Sequence, residues 1–146
     1  MTSLYYAHAM PTYNEPIEKD ELALIAKKFR GKTIINPASY GTQIEKEIDK
    51  MGFCYRLIDG CNTLVFSKWQ GMITGWVGLE ANYALQKGKK VYELTNDVFN
   101  LITQPVAHLN HQETLQMYDK HLYPLLQDKK VTKIQSTIKN RELGLM

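Results

Sequence analysis

Apolar residues along this chain follow two periodicities, one typical of strands and the other of helices. Short apolar runs predict strands at 4–8, 32–35, 63–66 and 90–94, and a fifth strand is expected within 98–103. The run at 63–66 has no polar interruption, which indicates a strand buried on both faces. Between the strands, apolar residues recur three or four positions apart, as on the buried face of a helix. This alternation predicts a parallel α/β sheet with right-handed crossovers.

Helical segments separate the predicted strands, and helices are expected on both faces of the sheet. The first helix is predicted after a loop over 10–20 and ends at Gly31, and the second begins at about Thr42, with a weak or kinked point at Gly52. The third lies around Glu80, and the fourth runs from a capping box at Asn110–Glu113 to about Leu126. We therefore expect a flavodoxin-like (Rossmannoid) fold, with a parallel sheet of four to five strands.

Glu80 is the most informative residue, because it lies in the centre of an apolar helix face. At 100° per residue, that face consists of Tyr83, Trp76, Glu80, Ala84, Val77, Ala81 and Leu85. Burying an unpaired carboxylate is costly. Glu80 is therefore either hydrogen-bonded by groups of the fold, for example as a cap near the positive end of its helix, or it lines a cleft and does chemistry.

The carboxyl ends of parallel strands are the usual ligand site of such sheets. Here that edge is expected from residues 8–14, 36–40, 67–76 and 94–97, within two turns of Glu80. Its loops supply an aromatic and polar lining that suits a base and a sugar: Tyr6, His8, Tyr13, Asn36, Tyr40, Trp69 and Trp76. For Tyr6 and Trp76 a place in the core is an equal alternative.

Three segments resemble the nucleoside 2-deoxyribosyltransferase-like superfamily, which includes deoxynucleoside monophosphate N-glycosidases and small uncharacterised, often phage-borne proteins. Residues 5–10 (Tyr-Tyr-Ala-His-Ala-Met) resemble its opening strand and loop, and Ile35-Asn36-Pro37 resembles the Asn-Pro after strand two. Residues 74–84, with Gly88-Lys-Lys-Val91 after them, resemble its Ser/Gly-rich turn, its glutamate and its alanine-rich helix. The third match is the specific one, and the resemblance covers about residues 3–95.

The resemblance implies that Glu80 is a nucleophile that attacks C1′ of an N-glycoside, and that the start of its helix holds a 5′-phosphate. Asp59 and then His8 are the candidates for the acid that protonates the leaving base, although Asp59 could instead make local hydrogen bonds at a helix end. Candidate substrate-binding residues are Tyr6, Met10, Asn36, Ser67, Trp69, Thr74, Gly75, Trp76 and Gly78. Two positions depart from the family pattern: the first loop has His8 in place of glycine, and Asn62 stands where an Asp is usual. No metal site and no cofactor is predicted.

The sequence thus predicts cleavage or transfer at the N-glycosidic bond of a nucleoside, nucleotide or nucleotide-derived molecule. One alternative is a non-catalytic nucleotide-binding module that senses or sequesters its ligand. Another is an NAD-cleaving glycohydrolase, since residues 67–69 and 75–80 faintly resemble the Trp-Cys-x-x-Glu segment of Toll/interleukin-receptor domains. A protein in which Glu80 is only a helix cap is a third.

Composition narrows the class of protein. The 146 residues are 44% hydrophobic and 23% charged, as in one globular domain, here predicted over 1–128 with a polar C-terminal segment at 129–146. The net charge of +3 is scattered, so we expect a small-molecule nucleoside or nucleotide as partner, not nucleic acid. No apolar run is long enough for a membrane span. Cys54 and Cys61 have no metal or redox spacing, which favours a cytoplasmic protein.

Surplus apolar residues predict self-association. They lie in the last helix and in the loop before Glu80, at Tyr118, Leu122, Tyr123, Leu125, Leu126, Trp69 and Met72. An exposed patch of that size would be a liability in a monomer. We therefore expect a homo-oligomer, a dimer or a multiple of one, with Glu80 near the subunit boundary.

Overall fold

A computed structural model describes residues 2–122 of the chain, and these residues form one mixed five-stranded sheet with helices on both faces. The strand order is β2-β1-β3-β4-β5. β1 to β4 are parallel, and β5 is antiparallel to β4. The strands are β1 (Ser3–Ala7), β2 (Thr33–Ile35), β3 (Thr63–Ser67), β4 (Lys90–Thr95) and β5 (Val98–Ile102). The flavodoxin-like α/β fold predicted from the sequence is confirmed.

Within residues 2–122, five α-helices connect and flank these strands. They are α1 (Pro16–Lys28), α2 (Gly41–Glu45), α3 (Lys50–Asp59), α4 (Gly75–Gln86) and α5 (His111–Leu122). α1 supplies Ile25 to an apolar cluster on one face of the sheet. α3 and α4 pack on the other face, where they contact β1, and α5 packs against α4.

Side-chain alternation along the strands divides the core between the two faces. Tyr5 and Ala7 of β1 belong to the cluster that α3 and α4 cover, whereas Leu4 and Tyr6 belong to the cluster under α1. β3 is buried at all five positions, as its continuous apolar run predicted. Neighbouring residues of β1 therefore serve opposite sides of the sheet.

One predicted boundary was wrong, and the fifth strand, found where it was predicted, runs antiparallel instead of parallel. α1 begins at Pro16, inside the loop expected over 10–20, because proline is preorganised for the first helical position and needs no partner for a missing N–H. β5 returns antiparallel through Asn96 and Asp97, whose φ values of 50° and 63° suit a two-residue hairpin turn.

The segment predicted as one helix from about Thr42 is two helices, α2 and α3. Ile48 lies in the break between them and is 100% exposed. Gly52 is not a weak point, since its N–H donates to the Asp49 side chain at 2.8 Å and caps α3. A Cβ at Gly52 would overlap that carboxylate, so the glycine makes the cap possible.

The predicted capping box of α5 is confirmed. The Asn110 N–H donates to Glu113 Oε1 at 2.9 Å, and the Glu113 N–H donates to Asn110 Oδ1 at 2.8 Å. The expected extension of this helix to Leu126 and the polar segment 129–146 lie outside the described residues. Within residues 2–122, none of the helices combines the length and the apolar character that crossing a bilayer requires.

Candidate functional site

Glu80 is buried in the layer between β1 and α4, and its side chain has a specific partner. The residue is 1% exposed, and the hydroxyl of Tyr5 donates a hydrogen bond to its Oε2. Tyr5 is fully buried. Burial first, and then the charge of Glu80, raises the pKa of Tyr5 well above its usual range. The phenol therefore keeps its proton and stays a hydrogen-bond donor to the carboxylate.

α3 forms another part of the surroundings of Glu80. The pKa of Tyr55 is raised by burial, then by the charges of Glu80 and Asp49, so its hydroxyl lies within electrostatic reach of Glu80. Cys54, which is buried, contributes smaller increases to the pKa values of both Tyr5 and Tyr55. Glu80 thus has the Tyr5 phenol as its partner and the Tyr55 phenol within electrostatic reach, and Cys54 lies within reach of both phenols.

An aromatic cluster continues from Cys54 toward the carboxyl ends of the strands. Its buried members are Met10, Ile44, Cys54, Trp76 and Tyr118, and Tyr13, Tyr40 and Trp69 pack against them. The Trp69 and Tyr118 rings meet edge to face with centroids 5.4 Å apart. The structure therefore brings together three predicted substrate-binding residues, Met10, Trp69 and Trp76.

Three other predicted site residues lie under α1, on the opposite face of the sheet. Tyr6 donates to Glu21 Oε1 at 2.5 Å, and Ser67 donates to the same oxygen at 2.9 Å. Burial, followed by the bond to Glu21, raises the pKa of Tyr6. His8 stacks on Tyr6 with ring centroids 3.8 Å apart, and its Nε2 lies 2.7 Å from Glu18 Oε2. These residues form a second polar group, separated from Glu80 by the sheet.

Asn36 also joins this second group. Its Oδ1 accepts the Ala38 N–H at 3.0 Å, so its amide NH₂ is the donor in the side-chain hydrogen bond to Glu18. Glu18 is 7% exposed. Burial raises its pKa, but hydrogen bonds from His8, Asn14 and Asn36 outweigh burial and leave the pKa lowered.

Asp59 lies at the end of α3 that precedes β3, beside the amino ends of the parallel strands. It is exposed and accepts a hydrogen bond from the Tyr83 hydroxyl at 2.7 Å. Lys89, just before β4, donates to its carbonyl oxygen at 3.2 Å. The structure does not bring Asp59 to the edge where the other predicted residues gather.

The start of α4 is covered by residues 108–110 and by α5. The Gly75 N–H donates to Thr114 Oγ1 at 2.8 Å. Gly78 lies under the ring of His108, since a Cβ there would overlap that ring. Thr74, the N-cap residue, makes no side-chain capping bond, and its buried Oγ1 has no hydrogen-bond partner within the part of the chain that is described.

Sequence reasoning missed Tyr5, Glu18 and Thr114. The signal for Tyr5 was strand alternation, which puts Tyr5 on one face of β1 and Tyr6 on the other. No local signal pointed to Glu18 or Thr114, because each acts on a segment distant in sequence. Among residues 2–122, no group of three or more His, Cys, Asp and Glu side chains could hold a metal ion.

Comparison of the chain with family models, with curated proteins and with solved structures finds no match.

The packing of Gly78 against His108 predicts the result of a glycine replacement. Gly78→Ala should lower the free energy of unfolding by about 1–3 kcal/mol, because the added methyl overlaps the ring. Gly60→Ala is the control, as its methyl meets only the Leu57 carbonyl oxygen at 3.5 Å. Urea unfolding measures both variants. Equal midpoints for the two would contradict the contact.

The lowered pKa of Glu18 predicts how stability depends on acid. From the ordinary glutamate value of 4.5 downward, the unfolded chain takes up a proton at this residue before the folded chain does. Stability should therefore be lost as the pH falls from about 4.5 through the lower pKa of folded Glu18. Glu18→Gln should flatten this loss, and Glu15→Gln, an exposed neighbour, should not. Urea midpoints between pH 3 and 6, on the order of the range where carboxyls titrate, decide whether the slopes differ.

Proposed function

We propose that this protein cleaves or transfers the N-glycosidic bond of a nucleoside, nucleotide or nucleotide-derived molecule, with Glu80 as the nucleophile. The observation that carries the proposal is the position of Glu80, a carboxylate that is 1% exposed in an otherwise apolar helix face. Such a group has lost most of its hydration, which makes it a stronger nucleophile. Tyr5 fixes the orientation of the carboxylate by donating to Oε2.

The proposed reaction has two steps. A Glu80 oxygen bonds to the anomeric carbon, and the carbon–nitrogen bond breaks with its electron pair leaving on the base, which takes up a proton. The glycosyl ester then passes its sugar to water, which loses a proton, or to a second base. Either transfer restores the carboxylate. In this scheme the Tyr5 hydroxyl stays hydrogen-bonded and protonated throughout.

The surroundings of Glu80 support a flat, partly apolar ligand. Met10, Trp69 and Trp76 belong to one cluster that includes Cys54, which lies within electrostatic reach of Tyr5, the partner of Glu80. The strand order reverses between β1 and β3, and ligands of open α/β sheets bind outside the carboxyl ends at this position. We assign the base to this cluster.

A 5′-phosphate, where the substrate carries one, is assigned to the start of α4. The buried Thr74 hydroxyl, which has no hydrogen-bond partner among residues 2–122, supports this assignment, as do the N–H groups of a helix N-terminus. The Gly75 N–H is already bonded to Thr114, so phosphate binding requires α5 to shift. A larger residue at Gly78 perturbs packing against His108 before it perturbs a phosphate, so bulk there is no clean test.

A specific observation favours a non-catalytic nucleotide-binding module as the second candidate. Neither predicted acid lies beside Glu80: His8 is on the opposite face of the sheet, and Asp59 is at the amino ends of the strands. A binding module needs no proton donor, and in it the Tyr5–Glu80 pair would recognise a ligand instead of attacking it.

We also propose a homo-oligomer, a dimer or a multiple of one, with its boundary near Glu80. Tyr118 and Trp69 pack on each other within one chain and are no longer surplus. Met72 is 43% exposed, and Leu79, next to Glu80 on α4, is 37% exposed, which keeps an apolar surface close to the site. Tyr123, Leu125 and Leu126 lie outside the described residues.

Base release from a panel of nucleosides, nucleotides and NAD tests the reaction by chromatography. Glu80→Gln should reduce release about a thousandfold or more, because the amide is no nucleophile. Tyr5→Phe should reduce it about a hundredfold, the usual effect of losing one preorganised donor. Glu15→Gln, at an exposed residue, is the matched control.

The panel also separates the candidates. Release only from NAD identifies the glycohydrolase. Binding without release in the unaltered chain, measured by calorimetry, favours the binding module. Full activity of Glu80→Gln would refute the nucleophile.

The oligomer prediction is tested by light scattering at micromolar concentration. We expect a mass of at least two chains, and Met72→Asp should shift it toward one chain, because a carboxylate in an apolar interface loses its hydration. Val98→Asp is the control, since Val98 is also apolar and 54% exposed but lies on β5. A single-chain mass for the unaltered protein would contradict the proposal.

A further inference from the structure

The loop of residues 8–14, called here the β1 loop, has both of its ends attached to one carboxylate. Glu18 Oε2 lies 2.7 Å from His8 Nε2, at the start of the loop. Glu18 Oε1 accepts the backbone N–H of Asn14, at its end, at 3.1 Å. Asn36, just after β2, donates to the same carboxylate. Glu18 thus joins the carboxyl ends of β1 and β2 to the first turn of α1.

The hydrogen bonds determine where the protons of His8 are. Its Nδ1 lies 3.1 Å from the carbonyl oxygen of Tyr6, which can only accept, so Nδ1 carries a proton. Its Nε2 faces a carboxylate oxygen, and a second proton must lie between them. Burial raises the pKa of Glu18, but its hydrogen bonds outweigh burial and lower it, so Glu18 is ionised at neutral pH. Two ring nitrogens that both face oxygen acceptors are the geometry of a doubly protonated ring, and His8 is 3% exposed.

The other groups around this pair come from four elements. Tyr6 of β1 stacks on the His8 ring, and Tyr13 of the β1 loop contacts it with centroids 4.7 Å apart. Asn36 follows β2. The first turns of α1 and its N-cap add Glu21, which is bonded to Tyr6 and Ser67, and the exposed Glu15, Lys19 and Asp20. Glu18 is the only carboxylate that contacts His8 among residues 2–122.

The β1 loop also reaches the surroundings of Glu80. Met10 is a buried member of the aromatic cluster, and Tyr13 packs against that cluster. The pKa of Tyr5 is raised mainly by burial and by Glu80, and in smaller part by Tyr13, so Tyr13 lies within electrostatic reach of Tyr5. The loop therefore connects the Glu18 side of the sheet with the Glu80 side.

We propose that Glu18 is a positioning residue, and that its ion pair with protonated His8 holds the β1 loop closed over the aromatic cluster until His8 loses a proton. A neutral His8 that keeps its bond to Tyr6 turns a lone pair toward the Glu18 carboxylate. A neutral His8 that keeps its bond to Glu18 loses the one to Tyr6. Either form removes one of the bonds that fix the start of the loop. That the loop covers a ligand rests on the proposed function. The ion pair between Glu18 and His8, and its effect on the loop, do not rest on it.

Nuclear magnetic resonance of the full chain tests the Glu18–His8 ion pair and its effect on the loop without any substrate. The ¹⁵N shifts of His8 should show protons on both ring nitrogens at neutral pH. Amide exchange of residues 12–14 is divided by the intrinsic rate at each pH. The corrected rate should rise about tenfold or more, ~1.4 kcal/mol of opening free energy. This rise should occur at the pH where the ¹⁵N shifts show that His8 loses its second proton. Amides of β1 and β3 should not follow this transition.

Matched variants isolate the carboxylate. Glu18→Gln should raise loop exchange at neutral pH and abolish its dependence on His8, whereas Glu15→Gln should behave as the unaltered chain. A neutral His8 beneath a protected loop, loop exchange that ignores the titration of His8, or unchanged exchange in Glu18→Gln would each overturn the proposal. If Glu18→Gln does not fold, the titration of the unaltered chain decides alone. Absence of base release would refute the role of Glu80 and would leave these measurements unchanged.

Discussion

The hydrogen bond between Tyr5 and Glu80 is the constraint on which the arrangement of this fold depends. A carboxylate that is 1% exposed needs hydrogen-bond partners, because leaving it without them costs several kcal/mol, on the order of the penalty for an isolated buried charge after relaxation. Tyr5 can reach Glu80 only if α4 crosses β1 at one position along the strand and turns the Glu80 face toward it. That position of α4 places Gly78 under His108 and the first N–H of α4 beside Thr114. The connection from β5 to α5 is therefore tied to the position of one carboxylate.

Strand alternation turns the carboxyl edge of the sheet into two separate environments. On the α4 side, Glu80 is bonded to the Tyr5 phenol. On the α1 side, Glu18 and Glu21 accept hydrogen bonds from His8, Tyr6 and Ser67. The loops after β1, β2 and β3 each span both sides, since His8, Asn36 and Ser67 lie on the α1 side. Further along the same loops, Met10, Tyr40 and Trp69 belong to the aromatic cluster on the other side. These three loops and the sheet are the routes by which the two environments are connected within the described chain.

The sequence predicted the features that depend on local pattern. The strand positions, the capping box at Asn110 and the burial of Glu80 follow from periodicity and from short-range hydrogen bonding, and the structure contains them. α3 begins at the Asp49 cap, and this cap depends on where the Asp49 side chain lies. Gly52, inside α3, leaves room for that carboxylate, which is a steric role that helix propensity does not predict.

The candidate site was harder to predict, because periodicity gives the face of a residue but not its partner. Tyr6, His8 and Ser67 were expected beside Glu80 on the grounds that they end neighbouring strands. Side chains at the same edge of a sheet can point to opposite faces. Because side chains alternate along β1 and β3, these three point to the face that α1 covers. The order of the elements along the chain suggests that Asp59 is near Glu80. However, α3 runs antiparallel to the strands, so Asp59, at its end, lies at the opposite edge of the sheet.

Stability alone does not account for two acids buried in one small domain. Replacing a buried polar pair by well-packed apolar residues is often neutral or stabilising, so the core would tolerate a simpler composition at these positions. Sites that break a local rule while the rest of a sequence obeys it are where function is expected. Glu80 breaks the apolar pattern of α4, and Glu18 breaks the usual exposure of acids in a first helical turn. Both residues lie near the β1 loop. The proposed chemistry of Glu80 and the proposed opening of this loop therefore involve the same part of the molecule.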